Sequence, residues 1–129
     1  MSTLGIVYIW RFGMMQEVYK KFMHLSNDVS WYSMLFASSN AAQKAKQILR
    51  EGLSKNAHDL IEILPSIPSD DLKSFNDYEL ISERSAELIN RIKHIQESDT
   101  FIKQSSPEDR SLMQTAYNDI VQIHNIITK

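Results

Sequence analysis

The sequence predicts an all-α protein, specifically an antiparallel up-and-down four-helix bundle that forms a single domain over residues 1–129. Apolar residues recur at spacings of three and four over residues 78–95 and 113–127, which places one apolar seam along each helix. Only three glycines and three prolines occur, which is unlike a sheet protein with many tight turns. The 129 residues, 43% of them hydrophobic, suffice for the core of one domain.

The first predicted helix covers residues 4–25. Met15, Val18, Phe22 and Leu25 form a 3-4-3 seam along it. Gly13 is a weak point, because glycine in a helix interior costs ~1 kcal/mol relative to alanine.

A polar break over residues 26–28 supplies the residue types that cap helix N-termini. It predicts a second helix over residues 29–64. The predicted seam of this helix contains Trp31, Met34, Ser38, Ala41, Ala45 and Ile48. Such a helix would be ~54 Å long at ~1.5 Å per residue, longer than its neighbours, so we expect a kink or break in helix 2 near Gly52, between Gly52 and Asn56.

Two prolines, Pro65 and Pro68, predict the end of the second helix, because each removes an amide donor and disfavours helix before it. Ser69 is the expected cap of a third helix that reaches about Glu97.

A loop over residues 98–105 follows, and its Phe101 and Ile102 are expected to cover the open end of the core. Ser106 and Pro107 then begin a fourth helix that reaches about Ile127. Short connections between four helices favour the antiparallel up-and-down arrangement.

The net charge of −2 hides an asymmetry. Residues 1–55 carry seven Lys/Arg and three Asp/Glu, a net +4, whereas residues 56–129 carry seven and thirteen, a net −6. We interpret this as attraction between the two halves within one bundle, with a basic face for an acidic partner as the alternative.

Cysteine is absent, which excludes disulfides, thiolate nucleophiles and cysteine metal sites. The most apolar stretch, residues 4–10, is far shorter than the ~20 residues that span a bilayer, and we predict a cytoplasmic protein without membrane contact. No cofactor is predicted.

Aromatic residues are the best functional clue, since eight of the twelve lie between residues 8 and 36. One face of a helix in a small bundle cannot bury them all. We predict that Tyr8, Trp10, Tyr32 and Phe36 form a partner-binding surface, because aromatic side chains dominate interface hot spots. Packing between the first two helices is the alternative.

Four basic residues suggest a second function, that of a subunit in a nucleic-acid-associated complex. They are Lys44, Lys46, Arg50 and Lys55. Lys44 and Lys55 fall on one flank of the predicted helix and Lys46 and Arg50 on the other, so they do not form a single stripe. The isoelectric point near 6.1 is also unlike a typical nucleic-acid binder.

The four histidines, His24, His58, His94 and His124, fall one per predicted helix. The residue three positions before each is not glutamate, so the Glu-x-x-His pairs of di-iron bundles are absent. We predict solvated surface histidines and no metal site.

Ala57, His58 and Leu60 resemble the start of the histidine phosphotransfer motif, whose domains are four-helix bundles with an exposed phosphoryl-accepting histidine. The resemblance implies a phosphotransfer role centred on His58. Ile61 and Glu62 replace the lysine and glycine of that family, and a carboxylate at Glu62 would repel a phosphoryl group.

A nucleophile elbow and a phosphate-binding glycine loop are both missing from the sequence. The leading hypothesis is therefore a non-catalytic interaction protein, such as an adaptor, an inhibitor or immunity-type protein, or a chaperone-like regulatory subunit. Its partner is another protein or a second copy of the chain.

Overall fold

The computed structural model describes residues 3–36 and 42–129, with side chains over 13–36 and 43–129. Within these ranges the chain is helical apart from turns and caps, and strands do not occur. None of the helices in the described part combines the length and the apolar character that crossing a bilayer requires.

Helix α1 spans Thr3–Phe36 and passes straight through the polar break at residues 26–28. The predicted start of a second helix there is wrong, because no proline or glycine interrupts residues 14–36 and the apolar seam continues in register. The buried residues of this seam, with 3-4 spacing throughout, are Met15, Val18, Phe22, Leu25, Val29, Tyr32 and Phe36.

This register overturns the side-chain directions predicted after residue 28. Tyr32 and Phe36 are buried in the core, whereas Trp31 and Met34 are exposed. The predicted seam began anew at the polar break and was one residue out of register with the seam observed in α1. A shift of one residue corresponds to a rotation of about 100° around the helix axis. Ser38 and Ala41, also assigned to that seam, lie outside the described residues.

The second helical stretch contains α2 (Ala42–Gln47), a π-helical segment (Ile48–Leu53) and α3 (Ser54–Ile63). The irregularity predicted near Gly52 is this π-helical segment, which keeps the chain helical. The backbone N–H and the hydroxyl of Ser54 both donate to the carbonyl of Leu49, five residues back, which is the π-helical spacing.

A single 3₁₀ turn, Leu64–Ser66, ends this stretch at the two prolines. The predicted third helix is divided into α4 (Ser69–Lys73) and α5 (Tyr78–Glu97). The turn between them carries Phe75, whose ring packs edge-on against Tyr19 of α1 at 6.2 Å between centroids. This packing and the turn-forming residues around it end α4 early.

The predicted loop over residues 98–105 contains a short helix, α6 (Asp99–Gln104), which Ser98 caps by accepting from the N–H of Phe101. Phe101 is buried as expected, whereas Ile102 is exposed, because successive residues of a helix cannot share one face.

Helix α7 spans Pro107–Ile127. It begins with a capping box in which Ser106 and Asp109 satisfy each other's backbone N–H groups. Its predicted seam is buried from Met113 to Ile127, and the seam of α5 is buried from Ile81 to Ile95.

The long helices pack around one hydrophobic core. α1 contacts α3 and α5, and α7 contacts the same two helices. Polar pairs accompany this packing, including a 3.0 Å ion pair between Lys21 of α1 and Asp59 of α3 and a 2.9 Å hydrogen bond from the Tyr78 hydroxyl to the carbonyl of Ile127.

Candidate functional site

The C-terminal halves of α1 and α5 lie side by side and leave an open groove between them. Its volume is about 440 Å³, within the range of ligand-binding clefts. The lining residues are Ser30, Ser33, Met34, Phe36, Arg91, His94, Ile95, Ser98 and Thr100.

Core residues form the floor of this groove. Phe36 and Ile95 are 7% and 8% exposed, so both belong to the core and still present a small surface to the groove. The ring of Phe36 also packs against Tyr32 and Phe101, with centroids 5.5 and 5.2 Å away. This aromatic row joins α1 to α6 beneath the groove.

Apolar side chains extend the groove outward. Met34 is 64% exposed and lines the groove, and Trp31, one helical turn earlier, is 55% exposed. Large exposed apolar side chains that adjoin a groove are typical of interaction surfaces.

The rim of the groove is polar. Arg91 Nη1 donates to Ser30 Oγ at 2.7 Å and so joins α5 to α1 across the groove. The Ser98 hydroxyl already donates to the carbonyl of Ile95 at 2.8 Å. Of the nine described residues that line the groove, Arg91 and His94 are basic and none is acidic.

The residues predicted to bind a partner are divided by the structure. Tyr8 and Trp10 belong to α1, but their side chains lie outside the described residues. Tyr32 and Phe36 are core residues, so the prediction that they are exposed is wrong. Phe36 nevertheless lines the groove from below.

The predicted basic set is also divided. Lys46 Nζ lies 3.4 Å from Asp109 Oδ2, and Arg50 Nη2 lies 3.2 Å from Glu108 Oε1. These two cations connect the second helical stretch to the start of α7. Lys44 and Lys55 are exposed. The four residues therefore do not form one basic surface.

Asp109 is the most deeply buried carboxylate among the described residues, at 1% exposure. Its Oδ1 lies 3.9 Å from Arg50 Nη2, beyond hydrogen-bond distance. Burial, and secondly the Asp109 charge, raise the pKa of the Tyr32 hydroxyl. The cap and the two cations stabilise this carboxylate, so we interpret it as structural.

Three histidines, His24, His58 and His94, are exposed as predicted. His58 Nε2 lies 3.2 Å from Glu62 Oε1, so a carboxylate stands where a phosphoryl group would need a positive or neutral neighbour. Among the described side chains, no group of three or more is arranged to hold a metal ion.

His124 departs from the prediction, because it is half-buried and its Nδ1 lies 2.7 Å from Ser85 Oγ. The Ser85 hydroxyl also lies 2.8 Å from the carbonyl oxygen of Ser82, so its single proton can be donated to either of these two acceptors. Ser85 is fully buried. This Ser–His pair therefore joins α5 to α7 and lacks the access to substrate that a nucleophile needs.

The groove residues Met34, Arg91 and His94 were not predicted as site residues. The sequence does contain a pattern that predicts the exposure of Met34. If the 3-4 seam of residues 15–25 is extended through the polar break, Tyr32 and Phe36 fall on the buried face of the helix and Met34 falls on the exposed face. Arg91 and His94 carry no such signal, because their position beside α1 depends on tertiary packing.

Comparison with protein-family models, with curated proteins and with solved structures finds no match to this chain.

Proposed function

We propose that this protein is a non-catalytic interaction protein that binds a segment of a partner protein in the groove between α1 and α5. The observation that carries the proposal is the position of Met34, which is 64% exposed beside a floor of core residues. Leaving a large apolar side chain in water is unfavourable, and a partner that covers it gains that free energy.

A protein partner fits this surface better than a small molecule. The groove is open to solvent, and the exposed ring of Trp31 lies outside it, one helical turn before Met34 on α1. An extended or helical segment can cover both, as in helix-in-groove recognition. Trp31 and Met34 replace Tyr32 and Phe36 as the proposed anchors.

Tyr8 and Trp10 stay candidate contacts, but they lie far from Met34 along α1. Trp10 precedes Met34 by 24 residues along α1, a distance of ~36 Å at ~1.5 Å per residue. One short segment would not reach both.

The other hypotheses receive less support. Lys46 and Arg50 are paired with acids of α7, which lowers the charge available to nucleic acid. Glu62 beside His58 disfavours phosphotransfer, and the buried Ser85 beside His124 disfavours hydrolysis.

We further infer that the four long helical stretches form one bundle and one domain, in which consecutive stretches run in opposite directions, as in an up-and-down bundle. The pairs Lys21–Asp59 and Tyr78–Ile127 support these directions. The contacts of α1 with α5 and of α3 with α7 join stretches that run in the same direction, so the order of the helices around the core differs from that of the simple antiparallel arrangement.

The experiment is affinity capture with the tagged protein from its native extract, comparing wild type with Met34→Ser and Leu80→Ser. Leu80 is the matched control, because it is also an exposed apolar residue but lies near the start of α5. The captured protein must also bind in purified form.

We expect a stoichiometric, nuclease-resistant partner that Met34→Ser loses and Leu80→Ser retains. A partner that both variants retain equally contradicts the groove. Self-association that Met34→Ser abolishes identifies a second copy of the chain as the occupant instead, and a nuclease-sensitive capture favours the nucleic-acid alternative.

A further inference from the structure

We propose that the segment bound in the groove is acidic as well as apolar, with a carboxylate that pairs with Arg91 while a neighbouring apolar side chain covers Met34 and Phe36. This inference rests on the proposed function and specifies the chemistry of its partner. It adds charge recognition to an otherwise apolar contact.

Arg91 differs from the other cations that connect helices in the kind of partner that it has. Other cations that connect helices in the described structure reach carboxylates, as in the 3.0 Å pair of Lys21 with Asp59 and the 3.2 Å pair of Arg50 with Glu108. Arg91 connects α5 to α1 through a neutral hydroxyl, that of Ser30. Its charge is therefore not neutralised by that contact.

The groove differs in charge from the segment of the chain that contributes α5. The segment 56–129 is strongly acidic, with a net −6, yet the groove wall that it contributes holds Arg91 and His94 and no acid. These two residues are three positions apart, so they lie on one face of α5. A carboxylate of an acidic segment would therefore be attracted to Arg91 in the groove, although residues 56–129 as a whole carry a net negative charge.

Ser30 acts as a positioning residue for this contact. Its oxygen accepts one N–H of Arg91 at 2.7 Å, and a guanidinium has five N–H donors in a planar fork. The remaining donors suit a carboxylate, which can accept two parallel hydrogen bonds. The hydrogen bond from Arg91 therefore holds the fork at the groove edge without occupying all of it.

The apolar requirement follows from the floor. Phe36 and Ile95 expose small surfaces at the base of the groove, and Met34 lines its side. A flexible thioether can adapt to a leucine or phenylalanine placed against it. A purely acidic segment would leave these surfaces in contact with water.

The test uses the full chain labelled with nitrogen-15 and two pools of acetylated, amidated peptides of equal length that share a central leucine. The polar positions are randomised over Asp, Glu and Ser in one pool and over Asn, Gln and Ser in the other. Amide shifts locate binding, and titration at low salt gives an apparent affinity for each pool.

We expect the acidic pool to shift amides of residues 30–36 and 91–100, and to bind about tenfold more tightly than the amide pool, as one charge-assisted hydrogen bond warrants. Arg91→Gln should lower the affinity for the acidic pool to that for the amide pool, and Ser30→Ala should lower it less. Arg84→Gln, an arginine of the same helix that pairs with Glu87, is the matched control and should change neither.

Equal affinity for both pools overturns the acidic partner but leaves docking in the groove intact. Shifts elsewhere or no shifts with either pool also overturn it, and the capture experiment with Met34→Ser then decides separately whether the groove docks a protein. A single-stranded oligonucleotide that shifts the groove amides at lower concentration than the acidic pool overturns it in favour of nucleic acid.

Discussion

The carboxylate of Asp28 occupies the space that Gly52 leaves between α1 and the π-helical segment. A Cβ at position 52 would lie 2.5 Å from Asp28 Oδ2 and 2.9 Å from its Cγ. The same Oδ2 accepts a 3.0 Å hydrogen bond from Asn56 Nδ2. Asp28 was predicted to belong to a helix cap and instead joins α1 to the second helical stretch.

The first prediction concerns Gly52→Ala. Alanine favours helix by ~1 kcal/mol, but here its Cβ displaces the Asp28 carboxylate from Asn56. We expect the free energy of unfolding to fall by about 1 kcal/mol in the wild-type background and to rise by a similar amount in Asp28→Ala, a coupling typical of contacting residues. Urea denaturation of the wild type, the two single variants and the double variant measures this coupling.

Gly13→Ala is the control for this cycle. No atom of the described residues lies within 4 Å of a Cβ at position 13, so we expect only the gain in helix propensity of ~1 kcal/mol. Equal effects of Gly52→Ala with and without the Asp28 carboxylate would show that the two residues do not interact.

The second prediction concerns pH. Burial raises the pKa of the Asp28 carboxyl above its ordinary value of 3.8, although Asn56 and His24 oppose the shift. A raised native pKa means that the folded chain binds this proton more tightly than the unfolded chain. The contribution of Asp28 to stability therefore increases as pH falls through the native pKa, and it levels off below 3.8.

Asp28→Asn isolates this contribution, because the amide oxygen can still accept from Asn56. We expect the variant to be more stable than wild type at neutral pH, and this advantage to shrink as the solution is acidified towards pH ~4. Denaturant unfolding of both proteins across that range measures it. An advantage that grows on acidification would contradict the raised pKa.

The third prediction concerns Asp109 at the start of α7. Asp109→Ala removes the N3 member of the capping box and leaves Lys46 and Arg50 without their buried partner. We expect a loss of about 2–3 kcal/mol in the free energy of unfolding. This loss is smaller than the loss expected when one partner of a fully buried ion pair is removed, because both cations are partly exposed and can be solvated again.

Glu108→Ala is the matched control, since Glu108 binds the same Arg50 at 3.2 Å but is exposed. An exposed pair contributes at most about 1 kcal/mol. Similar losses for both variants would mean that the burial of Asp109 has no energetic consequence.

The fourth prediction tests the register of α1 with two adjacent aromatic residues. Tyr32→Ala removes a buried ring and is expected to cost about 3–5 kcal/mol. Trp31→Ala removes an exposed ring and is expected to change the free energy of unfolding of the isolated chain by less than about 0.5 kcal/mol. Thermal and chemical unfolding of the two variants measure these changes in the free energy of unfolding. A larger loss for Trp31→Ala than for Tyr32→Ala would support the register predicted from the polar break.

Local patterns predicted the all-α fold class well where the apolar seam of a helix agreed with the residues that favour its start or end. Ser106 and Pro107 begin α7 as expected, and the seams of α5 and α7 are buried as predicted. Residues 26–28 misled the prediction, because residues that favour caps also occur inside helices when tertiary contacts occupy their side chains. The contact of Asp28 with Asn56 is such a case.

The candidate site was the part that the sequence predicted least. Its floor depends on the register of α1, and its basic wall depends on which part of α5 lies beside α1. Arg91 and Ser30 are 61 residues apart in the chain, and no local pattern connects them. A groove between helices is a property of their packing, so it follows only once the packing is known.

The floor of the groove has a thermodynamic consequence, because Phe36 and Ile95 are also part of the core. Whatever rests on them recognises the native chain and not the denatured ensemble, so occupancy and folding are linked equilibria. A ligand at a hundred times its dissociation constant would add about 2.7 kcal/mol to the free energy of unfolding. The melting temperature of the protein is therefore a direct reporter of what fills the groove.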